Sequence, residues 1–226
     1  MVSFGYLTSM MSLRREGPEV SPPLGQPGRP RGVVGRLLGW VMARDNDPMN
    51  ALAVELLDPQ PGDRVLEVGF GPGRGLERLA ERVPRGSADG VDHAELMVEV
   101  ARRRNRRAVG EGRVRPRLGS LESLPWADAT FDGAMAVNNH QFWPDPVAAL
   151  HELGRVLRPG GRLVLAVRVR HPEARTRYDR IAYSEGAEAA LHRRVRGAGL
   201  EVRQEVRRLL PGVGALALAA VRPERP

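Results

Sequence analysis

Glu67, Gly69, Phe70, Gly71, Gly73, Asp92, His93 and the run from Asn138 to His140 are the residues whose types and spacing could do chemistry. A short apolar run (Val65, Leu66, Val68) enters a turn with glycine at positions 69, 71, 73 and 75. A helical pattern follows from about Arg74 to Val83. Glycine allows tight turning and lets a ligand approach where a Cβ would collide, and the N–H groups of the following helix face the same space. The combination predicts a small-molecule cofactor site. Two cofactor types compete for it. The dinucleotide fingerprint G-x-G-x-x-G needs a third glycine where Arg74 and Leu76 stand. Pro72 also removes an N–H that a diphosphate would use. Glu67 instead places a carboxylate beside the turn, which suits a cation. Asp92, closing the next short strand, can accept from both hydroxyls of a ribose or cap the helix after it. Either nucleotide-like cofactor carries a ribose, so Asp92 alone does not separate them.

The blocks further along do. Gly119-Ser-Leu-Glu-Ser-Leu-Pro-Trp126 follows the third strand, and Phe131-Asp-Gly-Ala-Met-Ala-Val137 forms the fourth. Glu152-Leu-Gly-Arg-Val-Leu-Arg-Pro-Gly-Gly-Arg-Leu163 turns a helix into the fifth. With Glu67-x-Gly-x-Gly-x-Gly73, these four blocks in order resemble the class I S-adenosylmethionine-dependent methyltransferases of the broad type 11 group. That resemblance implies S-adenosylmethionine as cofactor, with Glu67, Gly69, Phe70, Gly71, Gly73, Asp92, His93, Ser120, Leu121 and Asn138 around it. It implies that His93 and Leu121 flank the adenine and that Asn138 reaches the methionine end. The family usually has an aspartate where Ser120 stands; a hydroxyl can still accept from the adenine amino group, on a shorter, neutral arm.

Methyl transfer from a sulfonium requires chiefly an in-line nucleophile at near-attack distance and exclusion of water. A base is needed only for a weakly acidic hydroxyl or a protonated amine. His140 is the candidate base, with Asn138 beside it, and a structural role for His140 fits the sequence equally well. Phe70, Phe142 and Trp143 are aromatics that could face a sulfonium, although core packing is the commoner fate. Asn138-Asn139-His140 lacks the N-P-P-Y/F grip of enzymes that methylate planar nitrogens. The reading favoured is transfer to a small-molecule acceptor at O, N or C. Its alternatives are a cofactor-binding module without turnover, an RNA or protein methyltransferase, and, last, a nicotinamide-dependent oxidoreductase.

The elements that must position these residues alternate between strand and helix. Strands are predicted at 64–68, 88–91, 113–118, 131–137 and 162–168, with helices to Val83, over 94–107 and over 146–157. A helix over 185–197 and two strands, 200–207 and 215–221, follow. This rhythm predicts an α/β fold: a Rossmann-like, seven-stranded, mostly parallel sheet with helices on both faces, in which the resemblance makes the last strand antiparallel. Upstream, apolar stripes predict helices at 33–43 and at 47–58, the second capped by Asp47 with Pro48 at its first position. They form an N-terminal helical cap over 33–61, with Trp40, Met49 and Asn50 available to line an acceptor site. Residues 1–32, rich in proline and glycine, read as a disordered leader, and 62–226 as the cofactor-binding domain.

At 226 residues the chain can hold one sizeable core. It has no cysteine, which removes thiolate metal sites and fits a reducing cytoplasm. The apolar stretch from Leu209 to Val221 is interrupted by Pro211, Gly212 and Gly214 and is too short for a membrane span. All 35 basic residues are arginine and the formal net charge is +8. The densest cluster, from Arg102 to Arg107, reads more readily as a solvated helix end than as a nucleic-acid surface, because aromatic platforms for base stacking make up only 4% of the chain.

Overall fold

The computed structural model describes residues 46–170, 182, 184–211 and 213–224. The expected leader and the helix at 33–43 lie outside the described residues. A helix covers 46–57 (α1). Then come β1 (Arg64–Val68), α2 (Arg74–Arg82), β2 (Ser87–Asp92), α3 (Glu95–Arg104), α4 (Arg106–Gly110), β3 (Val114–Leu118) and β4 (Phe131–Val137). After a single 3-10 turn at His140–Phe142 follow α5 (Pro146–Val156), β5 (Leu157–Val169), α6 (Glu185–Gly197), β6 (Glu201–Leu210) and β7 (Val213–Val221).

The seven strands form one sheet in the order β3-β2-β1-β4-β5-β7-β6. Strands β1 to β5 pair in parallel, whereas β7 runs antiparallel to both β5 and β6. The expected Rossmann-like sheet with an antiparallel last strand is therefore present. The order reverses at β1, which has β2 on one side and β4 on the other. Helices leaving β1 and β4 pass to opposite faces, so a crevice opens beyond the carboxyl ends of these two strands.

Period-two alternation assigns the core. Leu66 and Val68 pack with Leu163, Leu165, Leu150 and Leu153 on the α5–α6 face. Val65, Met135 and Val164 pack with Leu57, Leu76, Leu79 and Met97 on the α1–α2–α3 face. Side chains such as Phe131, Leu66 and Met135 are fully buried, each stabilising by roughly 1.5–3 kcal/mol of transfer free energy. Helix α5 starts where the sequence dictates: Asp145 accepts from the Val147 and Ala148 N–H groups with Pro146 behind it.

Three expectations about elements are corrected. The helix expected over 94–107 breaks at Asn105, whose side-chain amide donates to the Gly73 carbonyl as well as to Ala101; tertiary demand interrupts the helix. Asp47 does not cap α1, because residue 46 is already helical. Its carboxylate accepts instead from Arg74 and Arg78 of α2. Strand β5 begins at Leu157, ahead of the Pro159-Gly160-Gly161 turn, which it carries as an irregularity with Gly160 at φ 75°.

Candidate functional site

The glycine turn sits at the carboxyl end of β1. Gly69, Gly71 and Gly73 have φ of 62°, 51° and 78°, a region that side chains with a Cβ rarely adopt. The turn is closed by Gly69 N–H to the Val91 carbonyl and Gly73 N–H to the Phe70 carbonyl. A Cβ on Gly71 would meet nothing within 4 Å, whereas one on Gly73 would strike Ala101. Gly71 thus faces open space, and Gly73 lets α2 seat against α3.

Two buried carboxylates flank the turn. Asp92 Oδ2 accepts from Gly71 N–H at 2.8 Å and Oδ1 from Ala94 N–H at 2.9 Å. Asp92 thus holds the glycine turn with one oxygen and the amide of Ala94, the residue before α3, with the other; the cap position itself falls on Ala94, which has no side-chain cap. Glu67 is 3% exposed and lies under the first turn of α2. A Cβ on Gly75 would stand 2.1 Å from Glu67 Oε1. Gly75 therefore makes room for a carboxylate. Oε2 of Glu67 has no hydrogen-bond partner among the described residues. Burial, and then the nearby Asp92 charge, push the Glu67 carboxyl well above the usual carboxylate range, against one stabilising N–H from Leu76. Burial also raises Asp92, opposed by the Ala94 and Gly71 amides. Two desolvated carboxylates around an open turn are relieved by an arriving positive charge. The donor set fits a cationic nucleoside and does not fit a diphosphate.

The other expected residues separate into those at the crevice and those in the core. His93 is exposed at the rim, with Nδ1 3.9 Å from Asp92 Oδ1. Ser120 is exposed one strand beyond Asp92 and its hydroxyl donates to the Glu122 carboxylate. Leu121 is not a free flank for a base: its side chain is 8% exposed and packs with Val91, Leu124 and Trp126. Phe70 is corrected as well. It is buried against the α1–α2–α3 face, and a Cβ on Gly90 would come within 2.7 Å of its ring. Its side chain anchors the turn from below and its carbonyl closes it.

At the end of β4 the roles shift by one residue. Asn138, at φ 53°, turns its side chain away from the glycines. Its Nδ2 donates to Asn46 Oδ1 and Met49 Sδ on α1, and its Oδ1 accepts from the Arg168 N–H of β5. Asn139 meets the turn instead. Its Nδ2 donates to the Val68 carbonyl, and to the Gly69 carbonyl at 3.2 Å, while its Oδ1 accepts from the Trp143 indole at 3.1 Å. The run from Asn138 to His140 is expected from the sequence at the mouth of the crevice, but that Asn139 rather than Asn138 holds the turn follows only from these contacts. His140 does not fit the expected catalytic base: it is 3% exposed, packs at a tilt against Trp143 and is lowered to about 4 by burial. A buried imidazole of that basicity is a weak base at neutral pH. Phe142 is half-buried at the same loop, whereas Trp143 belongs to the core. Met49 and Asn50 are both buried, and Met49 closes the α1 side through Asn138. Trp40 lies outside the described residues.

Arginines of the 102–107 cluster make contacts on their own surface of the protein. Arg104 donates to the Pro72 carbonyl at the back of the turn, Arg102 to Pro116, and Arg103 and Arg107 pair with Glu99 and Glu111. Among the described residues no group of His, Cys, Asp or Glu is arranged to hold a metal ion, and no helix is long and apolar enough to cross a membrane.

A reversed-order parallel sheet with an open glycine turn, a carboxylate on each side of it and an N–H-rich helix start defines a nucleoside-binding α/β protein. A methyltransferase-domain family model matches residues 65–161. Over 138 residues the chain is 32% identical to the uncharacterized methyltransferase YdaC of Bacillus subtilis (strain 168), covering 61% of this chain and 74% of YdaC. It is 37% identical to the O-methyltransferase cnsE of Penicillium expansum over 49% of this chain, but spans only 40% of cnsE. A crystal structure of an S-adenosylmethionine-dependent methyltransferase from Aquifex aeolicus shares the fold, with TM-score 0.68, 21% identity, and coverage of 81% of this chain and 98% of that one. The chain belongs to the class I S-adenosylmethionine-dependent methyltransferases.

Proposed function

We propose that this protein transfers the methyl group of S-adenosylmethionine to a small-molecule acceptor held between the glycine turn and α1. The observation that carries the reading is the paired-carboxylate turn. Asp92 is held by two backbone amides at the open face of Gly71, and Glu67 is buried beside it with an oxygen that lacks a partner.

When bound, the cofactor supplies a carbon already activated by its sulfonium. In this reading Asp92 exchanges the Gly71 amide for ribose hydroxyls, and Glu67 supplies negative potential toward the cationic end. His93 stands at the adenine rim, with Ser120 opposite the base. Asn139 fixes the strand-end carbonyls of Val68 and Gly69, and so the shape of the turn.

The residues that position the acceptor are those linking β4, β5 and α1: Asn138, Asn46, Met49 and Arg168, whose Nη2 donates to Asn46 Oδ1 at 2.7 Å. Helix α1, the described part of the N-terminal cap, forms one wall of that space and Phe142 stands at its loop. With His140 buried, the chain's contribution to rate is alignment and water exclusion. An acceptor that is already nucleophilic suits such a site. The similarity to an O-methyltransferase supports a small organic acceptor.

The test is thermal unfolding with saturating S-adenosylhomocysteine, followed by labelled-methyl transfer to fractionated small-molecule extract. A ligand of the native state raises Tm. Asp92→Ala should abolish that rise. An unchanged melting curve for the intact protein with saturating ligand would overturn the reading.

A further inference from the structure

Ser120 ends the block after β3 as an exposed hydroxyl, and a hydroxyl is chemically ambivalent: it donates one hydrogen bond and accepts others. Here that ambivalence is resolved. The Ser120 hydroxyl donates to Glu122 Oε2, and a carboxylate can only accept. The Glu122 backbone N–H lies 3.4 Å from the same Ser120 oxygen, completing a two-residue turn that holds the pair together. The second Glu122 oxygen is buried without a partner among the described residues, so nothing there draws the carboxylate away. With its proton committed, Ser120 presents lone pairs to the crevice.

Position gives that polarity a purpose. Gly119 N–H donates to the Asp92 carbonyl at 3.0 Å, and Ser120 follows two residues past Leu118, the register partner of Asp92, on the carboxyl edge of the sheet. The order along that edge is the glycine turn, Asp92, then Ser120, with neighbouring strands ~4.8 Å apart. A nucleoside with its ribose at Asp92 extends its base toward Ser120.

We infer that Glu122 is a specificity-determining residue, acting through Ser120: by taking the hydroxyl proton it makes Ser120 an obligate acceptor, so that the site selects a base carrying an exocyclic amino group over one carrying an oxo group. This deepens the proposed function and rests on its reading of the crevice as the cofactor site. The carboxylate missing from position 120 returns from two residues downstream and works through a hydroxyl relay. An oxo-purine meets lone pair against lone pair.

The experiment is calorimetric titration of the full chain with S-adenosylhomocysteine and with its deaminated analogue S-inosylhomocysteine. The ratio of the two affinities is the readout, since a merely structural role would weaken both ligands alike. Wild type should favour the adenosyl ligand by about ten- to a hundredfold, the cost of setting an acceptor against an acceptor in place of a hydrogen bond. In Glu122→Gln the side-chain amide can donate to Ser120, the hydroxyl proton is released toward the ligand, and the ratio should fall to within about threefold of unity. Ser120→Asp in the Glu122→Gln background restores a fixed acceptor and should restore the preference. If wild type binds S-adenosylhomocysteine but Glu122→Gln keeps the wild-type ratio, the relay is overturned and the cofactor site stands. If wild type binds neither ligand, the cofactor reading falls and takes the relay with it.

Discussion

On the β1–β2–β3 side of the crevice, the groups facing the glycine turn are backbone amides and carboxylates that come from residues close to strand ends. Asp92 takes its two N–H partners from the turn and from the start of α3, and Glu67 takes one from the start of α2. On the β4–β5 side the groups are side-chain amides and a guanidinium tied to α1 from far along the chain. Asn138 and Arg168 both reach Asn46; the other end of that tie, α1, is fastened to α2 by Asp47, which accepts from Arg74 and Arg78. The first side is made of groups that cannot be replaced without losing charge. The second is a web of side-chain contacts, amides around one guanidinium, which can be loosened piecewise. A nucleoside site needs fixed charge, whereas an acceptor wall needs shape and adjustability.

The largest expected break is on the first side. Asp92→Ala leaves the Gly71 and Ala94 amides without their acceptor and removes the charge facing the ligand. S-adenosylhomocysteine affinity should fall at least a hundredfold, at roughly 1.5–3 kcal/mol for each charge-assisted bond, as read by calorimetry. Next, Gly75→Ala forces a methyl group onto the Glu67 carboxylate, 2.1 Å from Oε1. It should destabilise the fold by about 1–3 kcal/mol of overpacking, read as a lower urea midpoint at unchanged m. Gly71→Ala meets no neighbour, so its cost should be limited to the left-handed backbone, ~1–2 kcal/mol, and pairing the two variants separates space from conformation.

On the second side Asn139→Ala removes the donor to the Val68 and Gly69 carbonyls and the acceptor for the Trp143 indole. A loss of about 1–3 kcal/mol, with ligand affinity reduced less than in Asp92→Ala, would keep the comparison intact. An equal or larger loss of affinity would show that β4 contributes to cofactor binding as strongly as β2.

The smallest effect concerns Asp47, held at about 2 by the Arg78 and Arg74 hydrogen bonds. Because its folded value lies below the unfolded one of 3.8, its contribution is full above about pH 4 and fades as pH falls toward 2. Asp47→Asn should lower stability at neutral pH by less than ~1 kcal/mol and flatten that acid limb of the urea midpoint against pH. A variant whose acid limb matches wild type would show that the cluster does not hold α1 in place.

Much of the fold was legible because periodicity is local. The fourth strand and the helix at 185–197 have the expected ends, and the sheet's antiparallel last strand followed from the ordered motifs. Strand-end carboxylates were legible for the same reason: Glu67 and Asp92 occupy positions where any α/β sheet presents its ligand. Phe70, Leu121 and His140 were misassigned because each is near the crevice in sequence while its side chain points into the core. The side chain of Asn138 faces α1, an outcome no local pattern encodes, because its left-handed backbone redirects the chain after it. The roles of Gly75, Asn105 and Asn139 were not legible because their reasons are contacts with Glu67, Gly73 and Gly69, which no local pattern encodes.

By itself the sequence determined that a glycine turn would follow a buried strand, that carboxylates would stand beside it, and that four ordered motifs would build one mostly parallel sheet. Backbone geometry and short-range periodicity suffice for that. Only the tertiary structure decided which of the adjacent amides at 138 and 139 serves the turn, that His140 is buried and weakly basic, and that Glu122 holds the Ser120 proton. Those outcomes depend on desolvation and on partners brought together by packing, and burial and hydrogen-bond polarity exist only once the chain has folded.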